Sequence, residues 1–208
     1  MPDAAVRVLF PVMVLLALQQ LGSAGVIYAK AWLAPVMLER AWQQSMAAQG
    51  QPVKPWPWAD TWPVAKLSVP SLNISQFVLA GDTGNSLAFG PGHNLASAEL
   101  GASGSAMIGG HRDTHFAFLR DLRPGQRILL RLPTGALKQY RVQQTAVVDS
   151  SVGQPLWSSG HEQLLLVTCY PFDALMTGGP LRFVVFAEPE QERVVTASRG
   201  PGNQRLFF

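Results

Sequence analysis

Leu164-Leu165-Leu166-Val167-Thr168-Cys169-Tyr170-Pro171-Phe172 is the stretch on which the reading of the chain turns. An unbroken apolar run of strand length, closed by a proline, predicts a short strand buried on both faces or set in a barrel wall. Pro171 has no N–H to give to a ladder, so the strand ends before it. The single cysteine of the chain, Cys169, therefore lies where a stiff element gives way to a loop. A rigid frame fixes a reactive atom at such a place while the loop admits a substrate. A lone cysteine is more commonly a buried, inert side chain, and this stretch alone leaves both readings open.

The sequence around it is written in the same short units. Lys66-Leu67-Ser68-Val69 alternates with period two and is broken by Pro70-Ser71; Ile74 to Leu79 is closed by Gly81-Asp82-Thr83-Gly84. Leu87 to His93 mixes apolar residues with a tight turn, and Ser105 to Gly109 delivers His111. Arg127 to Leu132 and Gln139 to Val148 are joined at Pro133-Thr134-Gly135 as a hairpin, and Leu181 to Ala187 follows the cysteine strand. About eight short strands at this spacing predict an all-β sandwich or closed barrel. Helical pattern is confined to Phe116 to Leu122 and a turn near Pro155, and no fixed-period repeat is present.

The N-terminal sequence is of another kind. Val8 to Ala29 is almost uncharged and mostly apolar. At about 1.5 Å per helical residue, roughly 20 residues cross a hydrocarbon core. A cleaved signal peptide is the rival reading, with Ser23-Ala24-Gly25 as its cleavage site, but the apolar run continues past that point. An uncleaved single-pass transmembrane helix is expected, with a cytoplasmic N-terminus and an exported C-terminal domain. Ala31 to Met46 reads as a helix kinked at Pro35, with Trp32 and Trp42 either in the interfacial belt or packed on the domain. The Pro55-Trp56-Pro57-Trp58 run predicts an extended stalk that also packs on the domain. The expected organisation is thus a cytoplasmic stub and anchor at 1–30, a juxtamembrane helix and stalk at 31–64, the β domain at 65–188, and a disordered tail at 189–208. The net charge is +3 and the basic residues are scattered; with no basic patch interleaved with aromatics, nucleic acid is not an expected partner. One cysteine excludes an internal disulfide and any multi-cysteine metal site.

Three residues at strand ends or in late strands carry suitable chemistry: His111, Cys169 and Arg182. Neighbouring cations favour the thiolate. A histidine titrating near neutrality can protonate a leaving amine. An arginine, always charged, can stabilise an oxyanion or hold a substrate backbone but cannot act as a base. Together they are equipped for acyl transfer through a thioester; singly, each is as consistent with a structural histidine, an inert thiol and a solvated arginine.

Gly110-His111-Arg112-Asp113-Thr114-His115-Phe116 and Leu166-Val167-Thr168-Cys169-Tyr170-Pro171-Phe172 together resemble the sortases, as do Gly90-Pro91-Gly92-His93 and Gly179-Pro180-Leu181-Arg182-Phe183-Val184-Val185. The resemblance runs from Lys66 to Glu188, and the TCYPF string with the apolar N-terminus is most similar to the class D-like sortases of Gram-negative bacteria. It implies an eight-stranded β-barrel with short helices, preceded by one transmembrane helix, in the inner membrane with its catalytic domain on the periplasmic side. It implies a cysteine transpeptidase that cleaves an LPxTG-like sorting signal of a secreted or membrane protein and passes the acyl group to an amine. Cys169 would be the nucleophile, His111 the acid and base, and Arg182 the oxyanion ligand, with no cofactor and no metal. Thr168, Tyr170 and His93 are the candidates for substrate contact. Asp113 is placed either to pair with Arg112 or to orient His111. His115 lies four residues from His111, a helical zinc spacing, but no further ligands accompany it, and His161 reads as a surface residue. A papain-like thiol hydrolase is the alternative enzyme, although there the cysteine precedes the histidine and sits on a helix. A membrane-tethered β-barrel binding module with an inert thiol is the non-enzymatic alternative.

Overall fold

A computed structural model describes residues 2–152, 160–174 and 178–190, with the side chains of residues 2–8, 21, 23–31 and 85 outside that description. The strands are β1 (Pro63–Val69), β2 (Ile74–Ala80), β3 (Gly92–His93), β4 (Ser105–Gly109), β5 (Arg127–Arg131), β6 (Leu137–Asp149), β7 (Gln163–Cys169) and β8 (Leu181–Pro189). They close into a barrel in the order β1-β2-β3-β4-β7-β8-β6-β5, with β5 returning to β1. All eight expected strands are present. The expected turn near Pro155 and the residues of the tail beyond 190 lie outside the described residues. The short helix read at Phe116 to Leu122 is a 3-10 helix, Ala117–Asp121.

Alternation explains the inside of the barrel. In β1, Ala65, Leu67 and Val69 are fully buried while Lys66 and Ser68 face outward. Val78, Ile108, Ile128, Leu130, Tyr140, Leu164, Leu166 and Val185 meet them in one apolar core. The β5–β6 hairpin turns on Gly135, whose φ of 88° is in the left-handed region that a glycine adopts without strain. At the far end of β8, the Glu190 carboxylate bonds Arg127 and Arg141, and its N–H donates to Gln139 O, so the barrel includes this residue.

The N-terminal sequence forms one helix, α1 (Pro2–Ala47), which continues through both Pro11 and Pro35. Its last turns lay Ala34, Leu38, Ala41, Trp42 and Ser45 against the domain, a stripe at i, i+4, i+7, i+8 and i+11. Trp42 is buried and meets Phe77 of β2 with 5.7 Å between ring centroids, whereas Trp32 is 76% exposed. Leu9, Phe10, Met13, Leu15, Leu16 and Leu18 are exposed as well. Among the described residues, no helix is long and apolar enough to cross a membrane. The stalk packs in part: Pro55 and Ala59 are buried, Trp56 sits edge-on to Phe89 at 5.1 Å, and Trp58 is exposed. The Thr61 hydroxyl donates to Ala80 O at 2.7 Å and ties the stalk's end to β2.

Candidate active site

The parallel pairing of β4 with β7 brings two distant segments level with each other. Gly109 lies opposite Val167. His111 follows two residues after Gly109, and Cys169 two residues after Val167, so both chains leave the barrel side by side at the same height. On the other flank of β7, Cys169 is the direct antiparallel partner of Arg182. The three residues therefore form one row across β4, β7 and β8. Strand alternation places Cys169 and Arg182 on the side of the sheet away from the core residues Leu164, Leu166 and Val185. His111 is exposed, and Cys169 and Arg182 are each half-buried.

The row is held from beneath. The Gly110 N–H donates to Val167 O at 3.1 Å, and the Thr168 hydroxyl donates back to Gly110 O at 2.7 Å. This second strand-to-strand tie lies just before both His111 and Cys169. Gly110 has no room for a side chain: a Cβ there would stand 2.7 Å from Cγ of Phe116. The Phe116 ring is fully buried against that glycine, and its N–H donates to His111 O at 2.9 Å. The loop carrying His111 is thus wrapped over an aromatic plug rather than left open.

Beyond the pair, the connection is made by Arg112. Its side chain is 6% exposed. Nη1 donates to Pro171 O at 2.8 Å and Nη2 to Ala174 O at 2.6 Å, while Nε lies 3.3 Å from the Asp113 carboxylate. Arg120 of the 3-10 helix stands over the Phe172 ring at 5.2 Å. Phe172 packs edge-on to Phe183 at 5.2 Å, and Tyr170 stacks on Phe183 at 6.4 Å, so the turn after Cys169 rests on an aromatic cluster. The Tyr170 N–H donates to Leu181 O, and the Tyr170–Pro171 peptide is cis.

The remaining polar residues sort themselves by their partners. Arg182 Nη1 donates to Gly179 O at 2.6 Å and to Leu181 O at 2.9 Å, which holds its guanidinium on backbone carbonyls at and just before the start of β8. Asp113 pairs with Arg112. His93 is buried in β3, opposite Ile108 of β4 and hence on the core side of the sheet; its Nε2 lies 2.9 Å from Ala98 O. Thr168 also faces the core side, opposite Phe183. Of the three candidates for substrate contact, Tyr170 alone belongs to the loop that leaves the row. His161 is exposed. His115 is separated from His111 by turns, not helix, so their spacing does not put two rings on one helical face. Its ring borders a cleft of about 720 Å³ between α1 and β1–β2, alongside Glu39, Lys66 and Phe77. Burial, and secondarily the charge on His111, hold the His115 pKa below the ordinary 6.5. Among the described residues, no group of three or more His, Cys, Asp and Glu is gathered as a metal site.

Sequence reasoning identified the three residues of the row and missed what braces them. Gly110 and Phe116 belong to one motif but stand six residues apart, and their contact needs the folded loop to be seen. The sequence presents Arg112 only as a partner for Asp113. An arginine beside a strand-end histidine was the available signal, but its acceptors lie 59 and 62 residues away.

Comparison with known proteins bears on this geometry. A family model described as the sortase domain matches residues 67–190. Sortase D of Bacillus subtilis (strain 168) is 29% identical over 124 residues, which cover 59% of this chain and 61% of that protein. The match thus spans less than two thirds of that relative's length. Among solved structures, a sortase D5 transpeptidase from Clostridium perfringens superposes with a TM-score of 0.62 at 19% identity, covering 76% of this chain and 99% of the other. Sortase A from Corynebacterium diphtheriae gives a TM-score of 0.54 at 20% identity, covering 83% and 96%. At these identities the two structures speak for the fold.

Proposed function

The chain belongs to the sortase family, and on that premise we propose that it is a cysteine transpeptidase acting on an LPxTG-like sorting signal. The observation that carries the reading is the row itself. The chain's single thiol, an exposed histidine and an arginine stand at one level at the ends of three adjacent strands, the histidine two residues past the end of β4. Cys169, as thiolate, attacks the threonine carbonyl of the signal. The carbonyl oxygen takes the negative charge, which the Arg182 guanidinium stabilises. The tetrahedral species collapses, the C–N bond to the following residue breaks, and His111 gives its proton to the departing amine. The acyl group is left on Cys169 as a thioester. An incoming amine loses a proton to His111 and attacks the thioester, forming a new amide and returning the thiolate; water in its place gives hydrolysis.

The membrane assignment is part of the same proposal. In its support, the first half of α1 carries exposed Leu9, Phe10, Met13, Leu15, Leu16 and Leu18, an apolar surface far beyond what a solvated helix carries. The single-pass topology with an extracytoplasmic barrel, the class D-like assignment and a sorting-signal protein as partner belong to it too; the sortase D name of the Bacillus subtilis relative favours the class. The test is direct. The protein is incubated with an LPxTG-like peptide and an amine, and products are identified by mass. Cleavage between threonine and glycine with a new amide is expected from the wild type. The same cleavage persisting in Cys169→Ala would sink the proposal.

A further inference from the structure

We propose that Arg112 is a positioning residue that sets the separation of His111 and Cys169 by fastening the loop behind one to the loop behind the other. The inference rests on the transpeptidase reading above and concerns how its two proton-exchanging groups are kept in register. Before the pair, β4 and β7 are tied twice, by Gly110 N–H to Val167 O and by Thr168 Oγ1 to Gly110 O. After the pair the strands diverge into different turns, and no ladder holds them. Arg112 closes that gap. It follows His111 directly, and its two terminal nitrogens reach Pro171 O and Ala174 O, on the turn that starts one residue after Cys169. His111 and Cys169 are therefore bracketed on both sides.

The choice of residue argues that the bracket has more than a stabilising role. A buried guanidinium is costly to desolvate, and apolar side chains of similar volume commonly stabilise such a site as well or better. What an apolar residue lacks is the fixed fork, which holds two carbonyls three residues apart in one plane. Asp113, whose side chain is 63% exposed, meets the third nitrogen from the solvent side and keeps the plane from rotating. Arg120 over Phe172 secures the same turn through its ring. Arg112 thus governs where the turn sits, and through it where Cys169 points. A displacement of about 1 Å between reacting groups lowers rates by about 100-fold.

The test uses the full chain with an LPxTG-like peptide and an amine acceptor, comparing Arg112→Ala, Arg112→Lys and wild type. In Arg112→Ala, kcat is expected to fall about 100-fold with KM within about threefold of wild type. Arg112→Lys, which offers one point charge for two carbonyls, falls between. Millimolar guanidinium restores at least a tenth of the lost kcat in Arg112→Ala and does nothing for Cys169→Ala. A separate arm needs no substrate: guanidinium is titrated into Arg112→Ala while backbone NMR signals are followed. Signals of 110–116 and of 172–174 should move together with one apparent affinity. Unchanged kcat in both variants, loss of kcat that guanidinium does not restore, movement of one loop alone, or unfolding of both variants would each overturn the proposal. If wild type itself turns over no such peptide, the transpeptidase reading fails separately, and the NMR titration still decides the coupling.

Discussion

The two faces of β7 end differently. On the core side, Leu164, Leu166 and Thr168 are all buried, and the last of them bonds the neighbouring strand. On the other side, Leu165 is fully buried and Val167 half-buried, and Cys169 is the residue at which the strand emerges beside Arg182. The core face fixes the strand's register down to its final residue, while the opposite face is covered until the thiol is reached. A nucleophile so placed inherits the rigidity of the barrel yet stays accessible. The lesson is that the holding residues and the reacting residues alternate along one strand, so substitutions on the two faces should have different signatures.

Changes on the open face should cost activity and spare the fold. Arg182→Lys is expected to lower kcat/KM about 100-fold, because an ammonium cannot reproduce the guanidinium's fork; thermal melting should stay close to wild type. Near-normal turnover would remove Arg182 from the oxyanion role. Changes on the core face should cost both. Gly110→Ala forces a Cβ to within 2.7 Å of the Phe116 ring, which should destabilise the protein by about 1–3 kcal/mol and displace His111. A calorimetric melting temperature equal to wild type would show that the loop yields without strain. Thr168→Val keeps the shape of the strand and removes the donor to Gly110 O, an expected loss of about 1 kcal/mol, whereas Thr168→Ser should retain most of it. Denaturant midpoints of the two variants measure the difference.

The smallest effect belongs to His115, on the rim of the cleft under α1. Its folded-state pKa lies below the ordinary 6.5. As pH falls through that ordinary value, the unfolded chain takes up the proton before the folded chain does, so stability declines below about pH 6.5 and is unaffected above it. Glu39 and Lys66 border the same cleft. Replacing His115 by Gln should flatten the slope of melting temperature against pH between about 5 and 6.5; an unaltered slope would assign the decline to other groups.

How much of this could be read from the chain depended on range. The strands were legible because their patterns are local, even β3, only two residues long. Its Gly-Pro-Gly-His string marks a place where no Cβ fits: one on Gly92 would lie 2.0 Å from Gly81 O. The order of strands was not legible, since β4 and β7 pair across more than 50 intervening residues and nothing local encodes their register. Trp32 and Trp42 show the same limit. Both were open to an interfacial or a packed role, and the nine residues between them carry one to solvent and the other under β2. The candidate residues of the row were legible because histidine, cysteine and arginine advertise their chemistry. Arg112 was not, because its function is set by two backbone carbonyls that have no sequence signature.

The central claim is that Cys169 carries the acyl group. Intact-mass spectrometry of the protein mixed with an LPxTG-like peptide, quenched in acid, tests it most directly. A single adduct equal to the peptide up to its threonine, located on Cys169 and released by hydroxylamine, is the result expected. An enzyme that releases cleaved peptide with no adduct on Cys169 at any time, and equally from Cys169→Ala, would contradict it.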